Sequence, residues 1–199
     1  FYTYYKNYPW YRAQQQEAEG IAQKYGFNKV SHLKLSVVKK IKEFCAGGGF
    51  MFAMCSATDT YDIALAAEGT DIADVMFDGD GVDPQAQEKL DYSKTFAFKD
   101  FKIVRNPYEA EFSDIDNQQS ERNLTQSNDF FQLFTFSAKW DPIPTMLTQN
   151  HEKTIKGFMG QTTAFKKRLI KSDVVLMGET KAANEVRYMH GTLGKGTWT

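Results

Sequence analysis

SHLKLSVVKKIKEFCAGGGFMFAMCSATDTYDIALAAEG, residues 31–69, is the stretch that decides the predicted fold. Over residues 31–46 apolar side chains recur every three or four positions, as they do on one face of an amphipathic helix. They are Leu33, Val37, Ile41 and Phe44. The glycines at 47–49 end this helix, because glycine readily adopts the left-handed conformation that follows a helix. The continuous apolar run FMFAM at 50–54 is typical of a strand buried on both faces.

Cys55 follows this strand directly, and a second helix is predicted to begin within a few residues of it. Ala53 and Ala57 stand two positions before and two after the cysteine, and a sharp strand-to-helix turn needs such small residues. The dipole of the second helix would favour the thiolate of Cys55. Two interpretations stay open: Cys55 is a nucleophile at the carboxyl edge of an α/β sheet, or it is a buried, inert cysteine at a strand end.

A cysteine nucleophile needs a base, which is usually a histidine. The candidates are His151, in a polar loop, and His190, at the end of a strand and more typical of a structural residue. The backbone amide near Ser56 is the candidate oxyanion donor. Nothing in the sequence places either histidine beside Cys55.

Composition and motifs exclude several classes of function. The 199 residues carry a net charge of −1, which argues against a general nucleic-acid surface. No apolar run approaches the length of a membrane span. The acidic turn at 78–83 departs from a calcium loop, and zinc spacings and phosphate-binding glycine loops are absent, so we predict neither a metal nor a cofactor. Cys45 and Cys55 are predicted to be thiols.

Beyond residue 90 the spacing of apolar residues becomes typical mainly of strands. Residues 95–104 and 130–137 alternate or cluster aromatic side chains, and residues 90–150 are predicted to form a strand-rich insertion. A helix is predicted over 162–169, a buried strand over 174–177, and a β-hairpin from 185–190 and 195–199. The whole of 1–199 is therefore expected to be part of one α/β domain, a fragment of a longer chain.

Residues 1–11 contain seven aromatic side chains. The preferred interpretation is an extended segment packed on a further part of the protein. A stacking platform for sugars or bases is the alternative.

The GGGF turn at 47–50, the apolar strand and AMCSA at 53–57 resemble the class I glutamine amidotransferase-like superfamily, as does GKGTWT at 194–199. The resemblance implies a three-layer, flavodoxin-like α/β fold with a mostly parallel central sheet, Cys55 at a strand–helix elbow, and a catalytic histidine beyond Thr199. More closely, the chain looks like an internal fragment of a bacterial envelope protein family commonly labelled "asparagine synthetase B". Members of that family carry secretion signals, which implies a periplasmic or outer-membrane-associated location and partners among other envelope proteins.

Two functions follow as expectations. The first is a non-catalytic domain that contributes to an envelope assembly or binds a small ligand at this sheet edge. The alternative is a cysteine-dependent amidase or hydrolase, glutaminase-like, in which Cys55 attacks a carbonyl carbon. The first is preferred, because Ala53 and Ala57 stand where the superfamily usually has glycines.

Overall fold

The computed structural model describes residues 2–55, 57–110, 112–117, 124–125, 127–133, 154–156 and 164–199. The helices in these ranges are α1 (Tyr2–Tyr5), α2 (Pro9–Lys24), α3 (Val30–Ala46), α4 (Ala57–Ala66) and α5 (Val75–Asp78). The strands are β1 (Phe50–Met51), β2 (Ile103–Val104), β3 (Phe112–Ser113), β4 (Phe130–Leu133), β5 (Thr154–Lys156), β6 (Phe165–Lys166), β7 (Val175–Thr180), β8 (Glu185–Leu193) and β9 (Gly196–Trp198).

Seven of these strands form one mixed sheet. Its order is β1-β9-β8-β7-β4-β5, and β6 also pairs with β8. Only β1 and β9 run parallel, with Phe50 opposite Thr197 and Met51 opposite Trp198. The other pairs are antiparallel. Strands β2 and β3 form a separate two-stranded sheet, whereas β4, which also lies within residues 90–150, belongs to the main sheet.

The predicted three-layer fold with a mostly parallel, flavodoxin-like sheet is therefore wrong. The connections explain the difference, because parallel neighbours need a crossover of a dozen or more residues, usually a helix. A short turn, Lys181–Asn184, joins β7 to β8, and a two-residue turn at 194–195 joins β8 to β9. Such short links force neighbouring strands to be antiparallel. The β8–β9 hairpin itself confirms the prediction made for this segment.

The helix predicted over 31–46 is confirmed as α3, which packs on α4 and on β9. The end of α3 lies directly against the β9 backbone: a side chain at Gly196 would approach the carbonyl oxygen of Cys45 to 1.9 Å. The Cys45 thiol is buried there and lies 3.4 Å from the Thr197 carbonyl oxygen. Only glycine at position 196 permits this close packing. Both cysteines are free thiols, as predicted.

Strand β1 is an edge strand with helices on one face. Met51 faces the core, but Phe50 and Phe52 are 54% and 57% exposed. The prediction that FMFAM is buried on both faces is thus wrong, since a continuous apolar run does not reveal whether a second layer covers it. Of the helices described, none is both long enough and apolar enough to cross a membrane.

Three further predictions of secondary structure are wrong. The extended strand expected over 95–104 is reduced to β2, because the amides of Phe96, Ala97 and Phe98 donate to the Asp62 carboxylate instead of to a neighbouring strand. In the part of 162–169 that is described, β6 and a 3₁₀ turn, Lys167–Leu169, replace the expected helix. Residues 2–11, expected to be extended, contribute α1 and the start of α2.

Candidate functional site

The turn between β1 and α4 places Cys55 at the surface. The strand pairing continues past β1, where the Ala53 amide donates to the Thr199 carbonyl oxygen at 2.8 Å. The chain then turns at Cys55, whose φ of 60° is uncommon for a residue other than glycine. The Thr58 hydroxyl donates to the Cys55 carbonyl at 2.7 Å and fixes the turn at the start of α4. The Cys55 side chain is exposed, so the second interpretation is wrong in placing this cysteine in the interior.

The predicted partners of Cys55 do not assemble around it in the described part of the chain. His190 is buried on β8, and its Nδ1 lies 2.7 Å from the Trp198 carbonyl oxygen. Because a carbonyl only accepts hydrogen bonds, Nδ1 carries the proton, and burial lowers the pKa of His190. No hydrogen bond among the described residues joins Cys55 to a histidine. Ser56 and His151 lie outside the described residues.

Helix α4 carries a buried carboxylate that holds a loop. Asp62 is 1% exposed, and its oxygens accept the amides of Phe96, Ala97 and Phe98 at 2.6, 2.8 and 2.8 Å. Burial raises the pKa of Asp62, and the three amide donors oppose that rise. Every oxygen of this carboxylate is thus engaged by backbone, which makes Asp62 a structural residue in the wall of the site.

Asp59, one turn before Asp62 on α4, has a raised pKa. Burial raises the pKa of Asp59 to about 6, and the nearby carboxylates Asp116 and Asp62 add to the effect. Hydrogen bonds from the backbone amides of Asp59 and Thr60 oppose it. A carboxyl group that titrates near neutrality is therefore present at the start of α4, next to the turn that carries Cys55.

A cavity of about 60 Å³ lies between α4 and the sheet. Its walls come from β1 and the residues after it, from α4, from the 96–97 segment, and from β6, β8 and β9. Most of the lining is apolar or aromatic: Met51, Phe52, Ala53, Phe96, Ala97, Phe165, Met189 and Trp198. The polar lining residues are Thr58, Tyr61, Asp62, Arg187, Tyr188 and Thr199. Small-molecule sites share this apolar lining with a few polar groups but are usually about 300 Å³ or larger, so this cavity takes only a small group.

The charge of Arg187 in this wall is already balanced. Its terminal nitrogen lies 2.9 Å from Glu185 and 3.4 Å from Asp129, and both carboxylates are almost completely buried. Asn117 donates to the second Glu185 oxygen at 3.2 Å. Arg187 is therefore held as a structural cation, and the wall does not present an unbalanced positive charge to the cavity.

The acidic turn at 78–83 forms a second polar cluster, away from the cavity. Oxygens of Asp71, Asp78 and Asp80 lie within 4.8 Å of one another. The Lys29 ammonium lies among them, at 2.5, 3.1 and 2.5 Å respectively. These three hydrogen bonds raise the pKa of Lys29 above its usual range. In this fold one lysine offsets part of the negative charge of three carboxylates, Asp78 and Asp80 of the turn and Asp71 before it.

Comparisons with protein-family models, with curated proteins and with solved structures found no match for this chain. Membership of the glutamine amidotransferase-like superfamily therefore stays a prediction based on the residues quoted above.

Sequence reasoning identified the turn at Cys55 but missed the cavity beside it. The burial of Asp62 could be inferred in part from its spacing. It lies three residues before Leu65 and four before Ala66, so it shares the buried face of α4 with them. Arg187 and Trp198 carry no local signal, since they line the cavity only because β8, β9 and α4 come to the same space in the fold.

Proposed function

We propose that this chain is a non-catalytic binding domain that takes a small, uncharged group of a ligand into the cavity beneath α4. The observation that carries the proposal is the cavity itself, which opens space among aromatic side chains at the carboxyl end of β1. By volume it holds a group of about four to six non-hydrogen atoms. Binding there would be driven by removal of apolar surface from water.

The charges in the wall support an uncharged group. Arg187 is paired with two buried carboxylates, so an anionic ligand would gain little electrostatic attraction from it. Both oxygens of the Asp62 carboxylate already accept backbone amides, so Asp62 is poorly placed to accept a hydrogen bond from a cationic ligand. Tyr61 and Tyr188 line the same space, and tyrosine side chains suit a neutral polar group such as an amide or alcohol.

The test is an NMR titration that follows the indole N–H of Trp198, one of three tryptophans, assigned with Trp198→Phe. The probes are propionamide, propionate and propylammonium, which share a size and differ in charge. The proposal predicts a saturable shift with propionamide and weaker shifts with the two ions. Equal responses to all three, or none, would refute it.

A second candidate, a cysteine-dependent amidase or hydrolase, is favoured by one observation: Cys55 is exposed and has a φ of 60° at the strand–helix turn. Backbone conformations of this kind cluster at functional sites. Its test is ammonia release from L-glutamine by the wild-type chain and by Cys55→Ser. Ammonia release by the wild-type chain that is abolished in Cys55→Ser supports this candidate. If the wild-type chain releases no ammonia, the hydrolase is contradicted and the binding domain is the proposal that stands.

A bacterial envelope location and partners among envelope proteins belong to the same proposal and rest on the sequence resemblance alone. Fractionation of cells that produce the protein tests them, because the proposal predicts recovery with the periplasm or outer membrane. Recovery in the cytosol would contradict this part of the proposal.

A further inference from the structure

A second cavity, of about 310 Å³, lies on the N-terminal helices. It is formed by α1, α2, the residue that follows α1, and α5. Its lining residues are Tyr2, Lys6, Arg12, Gln15, Gln16, Glu19 and Met76. In contrast to the cavity beneath α4, most of these side chains are long and polar. The chemistry of this surface therefore differs from that of the site described above.

Two cationic side chains, Lys6 and Arg12, line this cavity. The Lys6 ammonium is 5.5 Å from the centre of the Tyr2 ring, within range of a cation–π contact. The Arg12 Nε donates to the Lys6 carbonyl oxygen at 3.5 Å. Among the described residues of the lining one is acidic, Glu19, and it accepts a hydrogen bond from Gln15 at 3.1 Å. The lining thus has a net positive charge and suits an anionic group.

An exposed aromatic patch adjoins the cavity, formed by Tyr4, Tyr5, Tyr8 and Trp10. Within it, the centre of the Tyr5 ring is 6.4, 5.9 and 5.2 Å from those of the other three. Tyr4 and Tyr8 are 79% and 52% exposed. Tyr11 connects the patch to the cavity, with its ring 5.8 Å from Trp10 and 6.3 Å from Tyr2. So many clustered aromatic rings at the surface indicate a binding function.

Aromatic rings beside planar polar groups match the chemistry of a sugar. The C–H bonds on one face of a sugar ring pack against an aromatic face, while its hydroxyls bond to amide and guanidinium groups. Gln15, Gln16 and Arg12 supply such groups in the cavity. A carboxylate on the sugar would engage Arg12 and Lys6. A nucleic acid fits less well, because the chain has a net charge of −1.

We propose that this cavity and the aromatic patch bind an acidic oligosaccharide, with a uronate carboxylate at Lys6 and Arg12 and a neighbouring sugar ring against Trp10. The site is separate from the cavity beneath α4, so the two proposals stand independently. The proposal develops the alternative interpretation of residues 1–11, a stacking platform for sugars or bases, and not the preferred one of an extended packed segment.

The test is isothermal titration calorimetry, which measures the affinity of the full chain for trigalacturonate and for maltotriose, a neutral trisaccharide. Arg12→Gln and Lys6→Gln remove the cations, and Trp10→Ala removes the ring. The matched controls are Lys24→Gln and Tyr25→Ala, which change an exposed cation and an exposed aromatic at the other end of α2. That end lies about 18 Å from Arg12 along the helix. Circular dichroism establishes that every variant is folded.

The proposal predicts that trigalacturonate binds and maltotriose binds at least about tenfold more weakly, because only the acid forms charge-assisted hydrogen bonds. The three site variants should each weaken trigalacturonate binding by about tenfold, and the two controls should leave it unchanged. Equal binding of both sugars, equal loss in controls and site variants, or no sugar binding at all would overturn the proposal. Crosslinking that captures a protein at Trp10 while both sugars fail to bind would identify the patch as a protein interface and also overturn it.

Discussion

The Oδ2 atom of Asp62 accepts the backbone amide of Ala97 at 2.8 Å, and this contact joins α4 to a segment 35 residues away in sequence. The same carboxylate accepts the amides of Phe96 and Phe98. Ala97 and Asp62 both line the cavity beneath α4. The wall of the proposed ligand site is therefore held in place by one buried acid.

Replacement of Asp62 by alanine should destabilise the protein strongly. The change leaves three buried amides without acceptors, so we expect the free energy of unfolding to fall by about 3 kcal/mol or more. Urea denaturation followed by circular dichroism measures the loss. Asp62→Asn keeps the shape and one acceptor oxygen, and should cost less than Asp62→Ala. Near-equal stability of Asp62→Ala and the wild-type protein would show that the carboxylate does not hold the wall.

Asp59 should make stability depend on pH in the acidic range. Because its pKa in the folded protein is about 6, above the usual value, the folded state binds this proton more tightly than the unfolded state. The resulting stabilisation is present below about pH 4 and is lost as pH rises through about 6. It amounts to at most about 3 kcal/mol.

Asp59→Asn should therefore reduce the fall in stability between pH 4 and pH 7, as measured by urea denaturation across that range. Glu17→Gln, at an exposed position of α2, is the matched control and should follow the wild-type profile. If the dependence of stability on pH were the same in Asp59→Asn as in the wild-type protein, the raised pKa of Asp59 would be contradicted.

Lys29 should stabilise the acidic turn through its three carboxylate partners. Lys29→Met leaves Asp71, Asp78 and Asp80 close together, so stability at neutral pH should fall by about 1 kcal/mol, a small value because these groups are partly exposed. Lys29 also lowers the pKa of Asp80, so its contribution is present above the usual carboxyl pKa and is lost as pH falls below it.

The difference in urea midpoint between Lys29→Met and the wild-type protein should thus disappear in acid. Lys40→Met, which breaks the exposed pair with Glu43, is the control and should have little effect at any pH. A difference that persists after the carboxylates are protonated would show that Lys29 acts by packing and not by charge.

The two thiols should differ sharply in reactivity. Cys55 is exposed, whereas Cys45 is buried and burial raises its pKa. Iodoacetamide should modify one site in the folded protein, and mass spectrometry should locate it at Cys55. Cys55→Ser should show no fast modification, and urea should expose Cys45. Rapid alkylation of Cys45 in the folded protein would contradict the packing of α3 on β9.

Local signals in the sequence predicted local structure well. Helix α3 follows from its apolar spacing, and the β8–β9 hairpin follows from the glycine turn at 194–196. The turn at Cys55 follows from small residues between a strand and a helix. Each of these depends only on residues that are neighbours along the chain.

Features set by distant contacts were missed or wrongly predicted. The four residues of Lys181–Asn184 leave no room for a crossover helix, which rules out at this point the parallel neighbours that the resemblance implied. The segment at 96–98 has the composition of a strand, yet Asp62, 34 to 36 residues away, takes its amides. The cavity could not be predicted, because its walls come from segments that are far apart in sequence, from β1 to β9.

The central claim is that the cavity beneath α4 binds a small uncharged group. The most direct measurement compares the shift of the Trp198 indole resonance on addition of propionamide in the wild-type protein and in Ala97→Leu, which fills the cavity. Ala53→Val, at another lining position, provides a second filled variant. A saturable shift in the wild-type protein that is lost in both folded variants is the predicted result. A wild-type resonance that does not respond, or an equal response in the filled variants, would contradict the claim.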